Sequence, residues 1–333
     1  MTPGALPDLR QPDWFCQQID VATAQALLCP MTPDTYRQSL FLDERMTPAA
    51  SEQRVVSLAA LHAALAAVPI EPASFVFHVG HCGSTLLTRL LEAAVPLLAL
   101  REPVPLRALA AFQRDLDHPV SLVDPAVYPE LLAGQVKLLT RRFEGGPATV
   151  IKPTSDCAPL AAPLLASHAR HQALLVTLSL ERYLETMLRS DLRRRELHHF
   201  AQSRLTDLHA LQLAPEVRLY RLSIGELAAL CWLSVLSSFH RLPPKQTFGV
   251  NFDTFLLEPE PTLAGLCASL GYRADPAAVT AAVQGSLMRG YSKDPTMAYS
   301  AQAREEELAR SGQANRKEIA AGLRWAEKHA PAG

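Results

Sequence analysis

The chain has 333 residues, 48% of them hydrophobic and 20% charged, enough to bury one large core or a core with an appended lobe. Its formal net charge of −1 gives no bulk electrostatic footprint for DNA or RNA, and no apolar run reaches the length of a membrane span. The first thirty residues lack a signal-peptide pattern, and Cys16, Cys29, Cys82, Cys157, Cys231 and Cys267 show no paired spacing; together these read as free thiols of a cytoplasmic protein.

Residues 1 to about 50 are punctuated by proline and carry Trp14, Phe15, Leu27, Leu28, Tyr36 and Phe41, which suggests short helices wrapped on a main domain. Ser51 to Ala67 has a helical period, with Val55, Leu58, Leu61 and Leu65 on one stripe and Ser51 as cap. Pro69 and Pro72 end it before an apolar run, Phe75 to Val79, that predicts a buried strand. Leu86, Leu87, Leu90, Leu91 and Ala94 then recur at helical spacing. Leu97–Leu100 predicts a second strand, followed by a mostly helical stretch from Leu106 to Phe143. Ala148–Ile151 and Ala173–Leu178 predict a third and a fourth strand, with a helix between them around Leu160 to Ser167. A long helix over Glu181–Leu208, an apolar helix over Leu227–Leu242, a fifth strand over Thr247–Phe252 and a charged helical tail from Ala301 to Ala330 complete the chain. Strands alternating with helices mean a parallel sheet with covered faces, whose ligands sit at the carboxyl ends of the strands.

The chemistry concentrates between the first strand and its helix, at Gly80-His-Cys-Gly-Ser-Thr-Leu-Leu87. A helix start offers unsatisfied N–H groups and the positive end of its dipole, which together make an anion site. Gly80 and Gly83 let the backbone come close to that anion, and Ser84 and Thr85 can donate to its oxygens. A nucleoside triphosphatase loop carries a lysine before its Ser/Thr to reach the terminal phosphates; here that position is Gly83. A sulfuryl group carries one negative charge and needs less neutralisation than a terminal phosphate, so the loop fits a sulfuryl donor better than ATP.

This stretch resembles the phosphosulfate-binding loop of sulfotransferases that use 3′-phosphoadenosine 5′-phosphosulfate (PAPS), which reads approximately Gly/Pro-Lys/Arg-Ser-Gly-Ser/Thr-Thr-Leu/Trp-Leu. Further stretches follow in the family's order: Arg101-Glu-Pro103, Val250-Asn-Phe-Asp253, Leu256-Leu-Glu-Pro-Glu260 and Leu270-Gly-Tyr272. The resemblance covers roughly residues 70 to 330. It implies a three-layer α/β P-loop-type fold with a parallel sheet of about five strands, formed by residues 71–333, behind an N-terminal helical extension over 1–70. It also implies sulfuryl transfer from PAPS, without a metal, to a hydroxyl or amine of a small-molecule acceptor, and it is compatible with a homodimer.

Carried over residue by residue, the resemblance makes Gly80, His81, Cys82, Gly83, Ser84, Thr85 and Leu86 the phosphosulfate loop. His81 stands where the family has Lys or Arg; an imidazolium could do that work, and the bland reading is a neutral histidine braced on the loop backbone. His78 reads as a core histidine, and His78, His81 and Cys82 lack the spacing of a metal site. Glu102, before Pro103, is either the base that takes the acceptor's proton or an ordinary glutamate at a helix start. Lys152 could hold a sulfate oxygen or the acceptor, with Asp156 a weaker candidate base. At the family's 3′-phosphate site this chain has Leu178, which cannot bind phosphate, and Thr186, which can keep the hydroxyl. Arg182 could substitute, or belong to a solvated stripe with Arg189 and Arg193; Arg289 and Lys293 are the late basic candidates. Two other readings stay open: a catalytically degenerate nucleotide-binding protein, favoured by His81 and Leu178, and an ATP-dependent phosphotransferase on the same fold.

Overall fold

The computed structural model describes residues 6–46, 52–291, 294–298 and 300–331. The elements run β1 (Trp14–Asp20), β2 (Gln25–Pro30), α1 (Pro33–Gln38), β3 (Arg54–Ser57), α2 (Leu58–Leu65), β4 (Ala73–His78), α3 (Ser84–Ala94) and β5 (Leu97–Arg101). There follow α4 (Val104–Asp115), α5 (Tyr128–Thr140), β6 (Ala148–Lys152), α6 (Ala161–Ala166), β7 (Gln172–Thr177), α7 (Leu180–Leu188) and α8 (Asp191–Ala210). The last part holds α9 (Ile224–His240), β8 (Thr247–Asn251), α10 (Phe252–Leu257), α11 (Pro259–Ser269), α12 (Pro276–Gln284), β9 (Gly290–Tyr291), β10 (Asp294–Ala298), α13 (Ala301–Ala314) and α14 (Arg316–His329).

The expected five-stranded parallel sheet is present, flanked by helices, in the order β5-β6-β4-β7-β8. β4 is buried at every position, so its apolar residues Phe75, Val76 and Phe77 are consecutive and not alternating with polar ones. By its internal contacts the chain divides into two units, residues 1–76 with 95–173, and residues 77–94 with 174–333.

In the first unit, β6 pairs in parallel with both β4 and β5, Phe75 opposite Ile151 and Arg101 opposite Lys152. The N-terminal residues differ from the short helices expected of them. They form a three-stranded antiparallel sheet, β1-β2-β3, followed by α2, and α1 is a single short helix. The reason lies in a turn: Asp20 accepts from the amides of Ala22 and Thr23, and Ala24 takes a left-handed φ of 52°, reversing the chain between β1 and β2. The helix expected from Ser51 is also shorter. Val55 and Val56 pair with Leu27 and Ala26 as strand β3, a use their β-branched side chains favour, and Ser57 caps α2 by accepting from the amide of Ala60. Ser51 itself lies outside the described residues. Buried Arg141 ties the segment before β1 down by donating to the carbonyls of Leu9, Gln11 and Trp14.

In the second unit, the long helix expected over 181–208 is two helices. Ser190, at φ −150° and ψ 155°, separates α7 from α8, and the carbonyl of Leu188 at the end of α7 accepts from the guanidinium of Arg194 instead of continuing the ladder. α9 begins with a capping box between Ser223 and Glu226 and packs against α7, α8 and α14. No helix among the described residues is long and apolar enough to cross a membrane. The six cysteines are buried, and none of them forms a disulfide among the described residues.

His171 gives the first unit a pH dependence. Its ring is fully buried against Phe75, Nδ1 accepts from the amide of Ala73 at 3.0 Å, and burial pushes the imidazole down to about 4. The unfolded state therefore binds the proton more readily than the native one, and the stability in question is present above pH 6.5 and is lost as pH falls toward 4. Thermal melts between pH 7 and pH 4 should show a falling midpoint for the wild type. His171→Asn, which can still accept from Ala73 but does not titrate, should flatten that fall; parallel curves would assign the acid sensitivity elsewhere.

Candidate anion-binding loop and the Glu102–Lys152 pair

The loop between β4 and α3 belongs to the second unit and has an uncommon backbone. Gly80, His81 and Gly83 have φ of 89°, 51° and 76°, so three of the four residues from 80 to 83 are left-handed. His81 is the costly member, since a side chain disfavours that region. Turns that mix right- and left-handed residues point successive amides into a concavity that binds anions. Several contacts hold this shape. Val79 donates its amide to the carbonyl of Val176 at 3.3 Å, and the thiol of Cys82 donates to the same carbonyl at 3.3 Å. His78, buried in β4, accepts the amide of Gly80 on Nδ1 at 3.1 Å and so braces the turn. Gly83 packs against Phe252 so closely that a Cβ there would lie 2.1 Å from the ring.

The hydroxyls sit where α3 begins. Ser84 and Thr85 are 4% and 2% exposed, and the buried Oγ1 of Thr85 has no hydrogen-bond partner among the described residues. Thr88, one turn on, instead donates to the carbonyl of Ser84 at 2.8 Å. A buried hydroxyl with no partner costs roughly 1–3 kcal/mol. Leu86 is buried and anchors the first turn of α3. His81 places Nε2 2.8 Å from both carboxylate oxygens of Glu196 on α8.

The residues expected to hold a 3′-phosphate are otherwise engaged in this unit. Arg182 is shared among Glu185, Asp253 and Glu305. Thr186 donates to the carbonyl of Arg182 at 2.8 Å, within its own helix. Arg289 donates to the carbonyl of Gln284 at 3.0 Å, and Lys293 lies outside the described residues. Leu178 is buried, and its carbonyl accepts from Trp232.

In the first unit, Glu102 and Lys152 form an ion pair of 2.7 Å, with Lys152 fully buried. Glu102 sits at φ 58°, and its amide donates to the carbonyl of Lys152 at 2.6 Å, so the backbone as well as the side chains joins β5 to β6 at their ends. Arg45 stands 3.9 Å from the other oxygen of Glu102. Arg101 is buried the opposite way and donates to the carbonyls of Arg37, Ser39 and Leu40. Asp156 is paired with Arg114 at 3.0 Å. No group of three or more His, Cys, Asp or Glu among the described residues could hold a metal ion.

Sequence reasoning missed Glu196 and the packing role of Phe252. Phe252 lies inside a stretch already picked out, Val250-Asn-Phe-Asp253, whereas Glu196 is one charge among many on α8 and carries no local signal.

No protein-family profile and no curated protein matches this chain. Among solved structures, it is similar to a sulfotransferase domain from the curacin biosynthetic pathway, at 14% identity and a TM-score of 0.38, over 74% of this chain and 98% of that one. It is also similar to a sulfotransferase from Alicyclobacillus acidocaldarius (14% identity, TM-score 0.35, 78% and 95% of the two chains). A third is retinol dehydratase in a complex with retinol and PAP, at 9% identity and a TM-score of 0.33, over 76% of this chain and 82% of that one. The functional reading rests on the loop's own geometry.

Gly83→Ala tests that geometry. The methyl group meets the Phe252 ring, and alanine disfavours a φ of 76°, so the variant should lose about 1–3 kcal/mol of stability in denaturant melts. Adding Phe252→Leu should recover part of this loss but not all of it, because the left-handed backbone remains. Full recovery would mean that the φ carries no strain.

Proposed function

We propose that this protein is a PAPS-dependent sulfotransferase acting on a hydroxyl or amine of a small-molecule acceptor. The observation that carries this reading is the buried hydroxyl of Thr85 at the head of α3, without a hydrogen-bond partner among the described residues, directly after a turn with left-handed residues, in a loop with no lysine. The turn and the helix start suit an oxyanion, and the missing lysine favours a sulfuryl donor over a nucleoside triphosphate. Gly80, His81, Cys82, Gly83, Ser84, Thr85 and Leu86 would hold the 5′-phosphosulfate, whose sulfuryl group is the one transferred. The residues bind and orient that group and stabilise charge on the phosphate that departs.

Arg182, Thr186, Arg289 and Lys293 are proposed for the 3′-phosphate. An arginine shared among three carboxylates can accept phosphate by exchanging one anion for another. Glu102 is proposed as the base and Lys152 as its charged partner, on the chemistry of the pair itself.

Calorimetric titration with adenosine 3′,5′-bisphosphate, the desulfated product, should give binding without magnesium, and ATP should bind poorly. Tight, magnesium-dependent binding of ATP would overturn the sulfuryl reading in favour of phosphotransfer. Thr85→Val, close in shape but without the hydroxyl, should weaken bisphosphate binding by about 1–3 kcal/mol, the usual worth of a hydrogen bond to a charged group. Equal affinity in wild type and variant would place the anion somewhere else.

Glu102 is tested separately. Glu102→Gln should lower turnover by about 100-fold or more, the range of general-base catalysis, while bisphosphate affinity stays close to that of the wild type. Turnover that survives this change would assign proton removal to another group, and turnover absent from the wild type itself would favour a nucleotide-binding protein without transfer activity.

A further inference from the structure

His81 occupies a position that its own side chain makes expensive, at φ 51° between two glycine-containing turns, and its ring is held from a distance of 115 residues. The carboxylate of Glu196 takes Nε2 symmetrically, 2.8 Å from each oxygen, with the imidazole 14% exposed and Glu196 36% exposed. Glu196 lies in the second turn of α8, which begins after the break at Ser190.

The chemistry of such a pair is specific. A neutral imidazole has one N–H, and with that proton on Nε2 facing Glu196 its Nδ1 is a lone-pair acceptor, which repels an anion. An imidazolium donates from both nitrogens. An anion bound in the loop can therefore receive a hydrogen bond from His81 only when the ring is cationic. A carboxylate in hydrogen-bond contact favours that cation. Between His78 and Thr88 the sequence has no Lys or Arg, so a fixed charge is missing from the turn itself.

We propose that Glu196 is a positioning residue for His81: it fixes the ring with Nε2 toward α8 and holds it as a cation, so that Nδ1 carries a proton for a phosphate oxygen bound in the loop. The pair does the work of a lysine or arginine, with a charge that depends on pH. This rests on the reading of the loop as a nucleotide phosphate site. Glu196 also acts on Tyr183 of α7, as do Arg204 on α8, Cys82 in the loop and Cys231 on α9. Tyr183 is buried and its phenol is pushed well above its ordinary range, chiefly by burial, so it stays neutral while His81 titrates.

The test has two arms on the full-length protein. In the first, the His81 ring is titrated by NMR, without nucleotide, in wild type and in Glu196→Gln, which keeps the shape and a hydrogen bond but removes the charge. The midpoint should fall by about one pH unit, a tenfold loss of proton affinity, and Glu196→Asp should restore part of it. An unchanged midpoint overturns the proposal, whatever the loop binds. In the second, affinity for adenosine 3′,5′-bisphosphate is measured from pH 5.5 to 8.5 in wild type, Glu196→Gln, His81→Lys and the double variant. Wild-type affinity should drop several-fold as His81 deprotonates, and Glu196→Gln should drop at lower pH. His81→Lys should show no drop, and adding Glu196→Gln to it should change affinity less than twofold. An equal loss from Glu196→Gln in both backgrounds would make Glu196 structural and overturn the proposal. Absence of bisphosphate binding at every pH, beside a shifted midpoint, would instead overturn the nucleotide-site reading on which the proposal stands.

Discussion

The structure around the loop depends on one constraint: four consecutive residues must hold a mostly left-handed backbone. Left alone, that conformation is unfavourable, most of all at His81, and it survives only if its surroundings overdetermine it. The surroundings do so through specific contacts. The carbonyl of Val176 at the end of β7 takes both the amide of Val79 and the thiol of Cys82, His78 accepts the amide of Gly80, and Phe252 closes over Gly83. Each contact uses a residue type for a physical reason. Cys82 supplies a thiol that donates to a carbonyl, and any side chain at Gly83 would meet the ring.

The energetic consequence is a loop whose backbone is held in one costly shape by its neighbours. The left-handed φ at His81 and the buried hydroxyl of Thr85, which has no hydrogen-bond partner among the described residues, both raise the energy of the loop.

The Glu102–Lys152 pair shows a different balance. A fully buried ammonium is costly to desolvate, and the carboxylate 2.7 Å away offsets that cost without turning it into a large net gain. Pairs of this kind are weak evidence for stability and stronger evidence for a need for charge. Glu102 sits at φ 58° with its amide bound to the carbonyl of Lys152, so the strand ends are shaped to bring these two side chains together. Arg101, its immediate neighbour, illustrates the contrast: its guanidinium is spent on three backbone carbonyls and holds the segment after α1 in place.

Much of this protein was readable from its sequence. The apolar run of β4, the glycines at 80 and 83 and the 3.6-residue period of α3 specify a strand, a turn and a helix by local rules, and the parallel sheet follows from repeating that alternation. Where the sequence misled, a local preference lost to a partner far along the chain. Val55 and Val56 fit a helical stripe until β2 offers them a ladder, and the 181–208 segment reads as one helix until Arg194 takes the carbonyl of Leu188. What only the tertiary structure decided is pairing. Glu196 meets His81 across 115 residues, Phe252 meets Gly83 across 169, and Arg182 spends its charge on Asp253 and Glu305. A charge or a ring has no periodicity that announces its partner, because the partner is chosen by the packing of helices and strands and not by the residues beside it.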